Sequence, residues 1–160
     1  MTVLVCSLKS ITSQPIEPGR YAIVRFPFGE AESTDTHRMH QAAQPDGAHV
    51  TAWASDDRSG LIWPAAAGWG TLHALVYWET GDYSEVRSRF VRDPLGLSTG
   101  HDSTCTEDDP PTPGGQYRAK TWGLFVDPRT PLALMVRHDD SQARRVTLAE
   151  FKLAIHPQEV

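Results

Sequence analysis

The closing stretch of the chain, Tyr117 to Val160, leaves room for little except extended strands. Tyr117–Val126 (YRAKTWGLFV) is rich in the aromatic and β-branched residues that fit a pleated surface. Asp127-Pro128-Arg129-Thr130-Pro131 follows, where two prolines fix φ and an aspartate can bond its own backbone, so the chain must turn. Leu132–Arg137 (LALMVR) is the return strand. After a polar stretch, Val146–Ile155 (VTLAEFKLAI) sets Phe151, Leu153 and Ile155 at period two, the spacing of a half-buried strand.

The same patterning runs upstream. Tyr21–Phe28 (YAIVRFPF) predicts a strand, and Gly70–Glu79 (GTLHALVYWE) a central one. In the latter Leu72, Ala74, Val76 and Trp78 share one face and His73, Leu75 and Tyr77 the other. Both faces are largely apolar, as in a strand covered on both sides. Tyr83–Arg92 sets Val86 and Phe90 against Glu85, Arg87 and Arg89, so one side of it meets solvent or a partner. Shorter strands are expected at Ala48–Trp53 and Leu61–Trp63, and Val3–Val5 reads as either a short strand or part of an arm. Long loops are expected at Gly29–Gly47 and Asp93–Gly115, the second ending in the turn run Thr112-Pro113-Gly114-Gly115. No segment has convincing helical periodicity. The expected architecture is an all-β jelly-roll sandwich of about eight to ten antiparallel strands. It forms a single domain over residues 20–160, preceded by an extended N-terminal arm over residues 1–19 with prolines at Pro15 and Pro18.

Composition narrows the function classes. A chain of 160 residues can bury a core without a disulfide or metal. Its net charge of −5 argues against nucleic acid as the main partner. No apolar run approaches the ~20 residues that span a bilayer, so no membrane partner is expected. The first ten residues lack a signal peptide's basic start and long apolar middle, so the expectation is synthesis without a secretion signal. Cys6 and Cys105 lie far apart and are expected as free, reduced thiols. Twelve Arg against three Lys, with no Asn at all, fit a GC-rich coding sequence and leave no acceptor for N-glycosylation.

Candidate chemistry can be weighed residue by residue. His37 and His40, after Asp35, offer imidazoles to a metal, but H-x-x-H lacks the glutamate of H-E-x-x-H, and a solvated loop accounts for it. Asp102, Glu107, Asp108 and Asp109 lack the alternating order of a calcium loop. Glu79, Asp82 and Glu85 flank one turn as a glycosidase carboxylate pair would, with nothing to set their acidities apart. Ser59 is not in a nucleophile elbow. Trp53, Trp63 and Trp69 are candidate sugar-stacking platforms or, alternatively, core residues. No enzyme activity, cofactor or metal is expected. Arg87, Arg89 and Arg92 form a stripe that either meets an acidic partner surface or is a solvated strand face.

The order of elements carries a family resemblance. Gly70–Trp78 (GTLHALVYW) is followed by Val86–Phe90 (VRSRF), a long loop, a strand, Asp127–Leu132 (DPRTPL), Leu134–Asp139 (LMVRHD) and Thr147–Leu153 (TLAEFKL). This resembles the jelly-roll heads of the tumour necrosis factor and complement globular-head superfamily, although the usual glycine-aromatic opening of the central strand is here Gly70-Thr71. Asp56–Pro64 (DDRSGLIWP) and Phe90–Pro94 (FVRDP) look like modules in virion proteins of tailed phages that infect actinobacteria. The resemblance implies a homotrimer whose inner sheet turns Tyr77, Tyr117 and Phe125 toward the threefold axis; as an alternative these rings fill the core of a single chain. It also implies a non-enzymatic capsid decoration (cement) protein, assembled in the host cytoplasm and bound to the major capsid protein in the virion. A second reading is a tail-associated head among tail proteins, binding a receptor or host-surface carbohydrate through the loops Gly29–Gly47 and Asp93–Gly115.

Overall fold

Ten strands divide between two facing sheets, and the alternation read from the sequence decides which side of each strand enters the space between them. The computed structural model describes residues 2–98, 102–112 and 115–159. In chain order the strands are β1 (Leu4–Ser10), β2 (Gln14–Ile16), β3 (Ala22–Ile23), β4 (Glu32–Thr34), β5 (Gly68–Trp78), β6 (Val86–Arg92), β7 (Asp102–Asp109), β8 (Gln116–Val126), β9 (Leu132–His138) and β10 (Arg144–Pro157). The only helical element among the described residues is a 3-10 turn at Asp57–Gly60. One sheet has six strands, ordered β4-β1-β10-β5-β8 with β2 also paired to β10; the other has four, ordered β3-β9-β6-β7. Every pairing is antiparallel. This is the expected jelly-roll sandwich.

The β5–β10 ladder is its spine, running from Val146 opposite Trp78 to Pro157 opposite Gly68, with one bulge between Val146 and Leu148. Leu72, Val76 and Trp78 of β5 and Phe151, Leu153 and Ile155 of β10 are buried. Phe151 meets Phe26 and Phe90 edge-on, at 6.5 Å and 6.0 Å between ring centres. Each such side chain contributes roughly 1.5–3 kcal/mol through removal from water. The chain crosses from β8 in one sheet to β9 in the other at Asp127–Thr130, where the Thr130 N–H donates to the Asp127 carbonyl and the Arg129 N–H to its carboxylate.

Four expectations need correction. Residues 1–19 do not form an arm outside the sandwich. β1 pairs along its whole length with β10, and Cys6 and Leu8 are wholly buried, because polar Ser7 and Lys9 alternate with them and hide the apolar face in the sequence. Pro15 sits in the short strand β2, where the missing N–H is tolerated. Tyr21–Phe28 pairs as strand over Ala22–Ile23, continued by one further bond from the Val24 N–H to the Leu134 carbonyl. Ala48–Trp53 and Leu61–Trp63 supply only isolated bridges, His49 to Ala43 and Ile62 to Leu132. Finally, Asp93–Gly115 contains β7, which has no hydrophobic alternation. Its acids are held by arginines of β6: Arg87 pairs with Asp108 at 3.1 Å and Arg92 with Asp102. Residues 99–101 and the Pro113-Gly114 turn of that segment lie outside the described residues.

Candidate functional site

The central strand is apolar on both faces, yet only one face is covered by its own chain. Trp69, Thr71, His73, Leu75 and Tyr77 alternate with the buried set on β5 and point outward. Beside them in register stand Phe125, Gly123, Thr121, Ala119 and Tyr117 of β8. Trp69 lies edge-on to Phe125 at 5.1 Å, and Tyr77 stacks obliquely on Tyr117 at 4.5 Å. Gly123 makes the first pair possible: a Cβ there would sit 2.5 Å from the Trp69 indole, which occupies the space a side chain would need.

These rings are open to solvent: Tyr117 is 63% exposed, Phe125 62% and Trp69 45%. They form two aromatic clusters at the two ends of one sheet face, with Thr71, His73, Leu75, Ala119 and Thr121 between them, and β8 lies at the edge of that sheet. Covering the open half of each ring is worth roughly 2 kcal/mol. On this face Lys152 pairs with Glu150 at 3.2 Å, and the exposed Lys9 of β1 stands across from Glu150 on its other side. His73 shares a bond of 3.2 Å with the Thr121 hydroxyl.

The structure therefore places Tyr77, Tyr117 and Phe125 together on the outer side of one sheet. Trp69, omitted when the central strand was started at Gly70, belongs with them; its parity with Tyr77 is the signal that finds it. Trp122, 47% exposed on β8, has the opposite parity, beside Leu72, and is not part of this face.

Arg87 and Arg89 lie on the outer face of the opposite sheet, whereas Arg92, beside Leu132, has the other parity and leaves the expected stripe. Arg87 is held by Glu85 at 2.8 Å as well as by Asp108, and Arg92 by Asp102. Arg89 lies over the Tyr21 ring, 3.8 Å from its centre.

Other candidates separate in space. His37 is exposed, whereas His40 is buried, with its Nδ1 2.5 Å from Glu32 and its Nε2 2.7 Å from the Ser59 carbonyl. Burial pushes the Glu32 carboxyl up, but bonds from His40 and from the Glu32 and Gly29 amides outweigh it and hold the group below the usual range. The Glu79 carboxylate accepts the Arg145 N–H, while Glu85 faces Arg87, so the imagined pair is split. Trp63 is buried with Ile23, Leu61 and Ala133, far in topology from Trp69. Ser59 donates to the Trp53 and Asp56 carbonyls. Lys120, unremarked in the sequence, is buried between the sheets, donating to the Ser88 carbonyl at 3.0 Å and the Cys105 carbonyl at 3.2 Å. Desolvation pulls its ammonium below the ordinary lysine range. Cys6 and Cys105 are free thiols.

No model of a known protein family matches the chain, and no curated protein matches it. Solved structures do. The globular domain of the zebrafish complement 1qA protein superposes with a TM-score of 0.65 at 10% identity, covering 99% of this chain and 100% of that one. Murine APRIL gives 0.59 at 8% identity, covering 97% and 100%. Eiger TNF from S. frugiperda gives 0.54 at 12% identity, covering 99% and 96%. The fold is that of the tumour necrosis factor and complement globular heads. At these identities the likeness is one of fold. Within this jelly roll, the open aromatic face belongs to the sheet that contains both chain-terminal strands, β1 and β10.

Proposed function

We propose that the chain is a non-enzymatic structural head that assembles as a homotrimer through the outer face of its six-stranded sheet. One observation carries this reading: the ring pairs Trp69–Phe125 and Tyr77–Tyr117 stand uncovered on one sheet face that has no surplus of acids. A chain of net charge −5 repels its own copies, so a contact between copies favours a part of the surface that is not acidic. Aromatic rings at the centre of a patch are the side chains that supply most association energy.

The trimer serves, in this proposal, as a decoration protein on the capsid of a tailed bacteriophage, adding buried area across subunit boundaries of the shell. The segments Asp56–Pro64 and Phe90–Pro94 and the arginine-rich, asparagine-free composition support that setting.

Light scattering of the full chain should give three times the 17.7 kDa chain mass, and Phe125→Glu should give a folded single chain. A wild-type mass of one chain at high concentration ends the trimer reading. Imaging of the particle tests the setting: copies across the shell support decoration, copies only at the tail replace it with the tail-head reading, and absence from particles ends both.

A further inference from the structure

The four-stranded sheet carries a second, unrelated feature on its outer face. Arg87 of β6 and Arg137 of β9 stand directly opposite each other in register, and Arg89 opposes Met135 two positions along. Like charges in direct cross-strand register are destabilising unless something neutralises them. Arg87 is neutralised by Glu85 at 2.8 Å and Asp108 at 3.1 Å. Arg137 has no ion pair or hydrogen bond among the described residues, and its Nε is shut away from water without an acceptor, as is that of Arg89. A terminal amine of Arg89 reaches only the Met135 sulfur, at 3.7 Å, while its guanidinium is held flat on the Tyr21 ring.

Packing thus fixes the stems of two guanidinium groups and leaves their charge uncompensated. A guanidinium with its stem sealed loses little further freedom when its terminal N–H groups meet a planar or tetrahedral oxyanion. Tyr21 and Met135 also border a groove of about 400 Å³ with Arg20, Arg25 and Leu95, which leaves room for the group that carries the anion. Two acids also line that groove: Asp57, taken by Arg25 at 2.8 Å, and Glu17, outnumbered there by Arg20 and Arg25.

We propose that Arg89 and Arg137, flanked by Arg87 and Tyr21, form a binding site for an oxyanion: a carboxylate, sulfate or phosphate group. The site lies on the sheet opposite the aromatic face and does not depend on assembly.

Arginine side-chain NMR of the full chain, titrated with sodium sulfate and with sodium acetate against sodium chloride at matched ionic strength, tests it. Saturable shifts at Arg89 and Arg137 with at least one oxyanion, and not with chloride, are expected. Arg137→Gln should weaken the binding at least about tenfold. Its melting temperature in low-salt chloride should stay within about 3 °C of the parent, so that the lost binding is not lost folding. Shifts that chloride reproduces, or that survive in R137Q, overturn the site. If R137Q does not fold, Arg89→Gln carries the same expectation for binding.

Discussion

The outer face of the six-stranded sheet is aromatic at both ends and sparsely charged, whereas that of the four-stranded sheet is crowded with arginine and partly roofed by its own chain. On the roofed side Leu61 and Trp63 close over Ile23 and Ala133, with Leu97 and Met135 against them, and Trp63 is only 5% exposed. On the open side Trp69 keeps 45% of its surface in water. The two tryptophans are six positions apart, at opposite ends of the same connection into β5. A chain that covers one apolar sheet face with its own loop and leaves the other bare distinguishes a finished surface from an unfinished one. The difference is local in origin: the Asp56–Gly60 turn packs against β3, with Gly60 beside Ile23, and is capped by the Asp56 side chain on the Arg58 amide.

The sharpest way to break this contrast is a paired truncation. Trp63→Ala removes a buried ring and should cost about 3–5 kcal/mol of folding stability in denaturant unfolding, with the oligomeric mass unchanged while the chain is folded. Trp69→Ala should cost less than about 1 kcal/mol in the dissociated chain, because the ring is half in water already, and should loosen association instead. Equal folding costs at the two positions would mean that the open face is no less self-supporting than the roofed one.

A smaller effect is expected where the two sheets are tied together. Asp140, in the turn between β9 and β10, accepts the Asp82 N–H at 2.7 Å and the Arg144 Nε–H at 2.6 Å, linking the turn after β5 to the end of the other sheet. Burial pushes its carboxyl up, but Arg144 and the Asp82 and Gln142 amides outweigh that and hold it down at about 2. A carboxyl depressed in the folded state stabilises fully above the unfolded value of roughly 3.9, and the contribution fades as pH falls toward the folded value. Asp140→Asn should therefore lower the melting temperature by about 5 °C at pH 7 and flatten its fall between pH 4 and pH 2. An unchanged acid limb in D140N would show that the sheets are not coupled through this carboxylate.

How much of this was legible beforehand follows the kind of signal each element carries. β5, β8, β9 and β10 could be read directly, because their apolar side chains recur at period two and turn residues punctuate them. β7 could not: DSTCTEDD has no apolar face, and it becomes a strand through cross-strand charge pairs with Arg87 and Arg92 that exist only once β6 is in place. β1 was readable only in part, since Cys6 and Leu8 alternate with Ser7 and Lys9 too briefly to stand out from a polar neighbourhood. For the candidate site, parity on β5 and β8 grouped Tyr77, Tyr117 and Phe125 correctly. It could not say whether their face would be roofed, because that depends on where a distant loop folds. Arg137 was invisible as a site residue for a related reason. Its meaning comes from standing opposite Arg87, a register that no local pattern fixes.

The smallest effect worth measuring concerns the charge balance of the open face. Glu150 pairs there with Lys152, their side chains 22% and 41% exposed, and faces Lys9 across the ladder, so in the dissociated chain these attractions are screened by water and salt. Glu150→Gln should leave folding stability within about 0.5 kcal/mol of the parent. Covering the face would withdraw water from the uncompensated Lys152 ammonium and make its loss of a partner felt. Association of E150Q should then weaken by a few-fold, about 1 kcal/mol, with the deficit growing as salt is lowered. Sedimentation across a salt series measures it. A salt-independent association identical to the parent would place the Glu150–Lys152 pair outside the buried contact and shift its centre toward the Trp69–Phe125 end of the sheet.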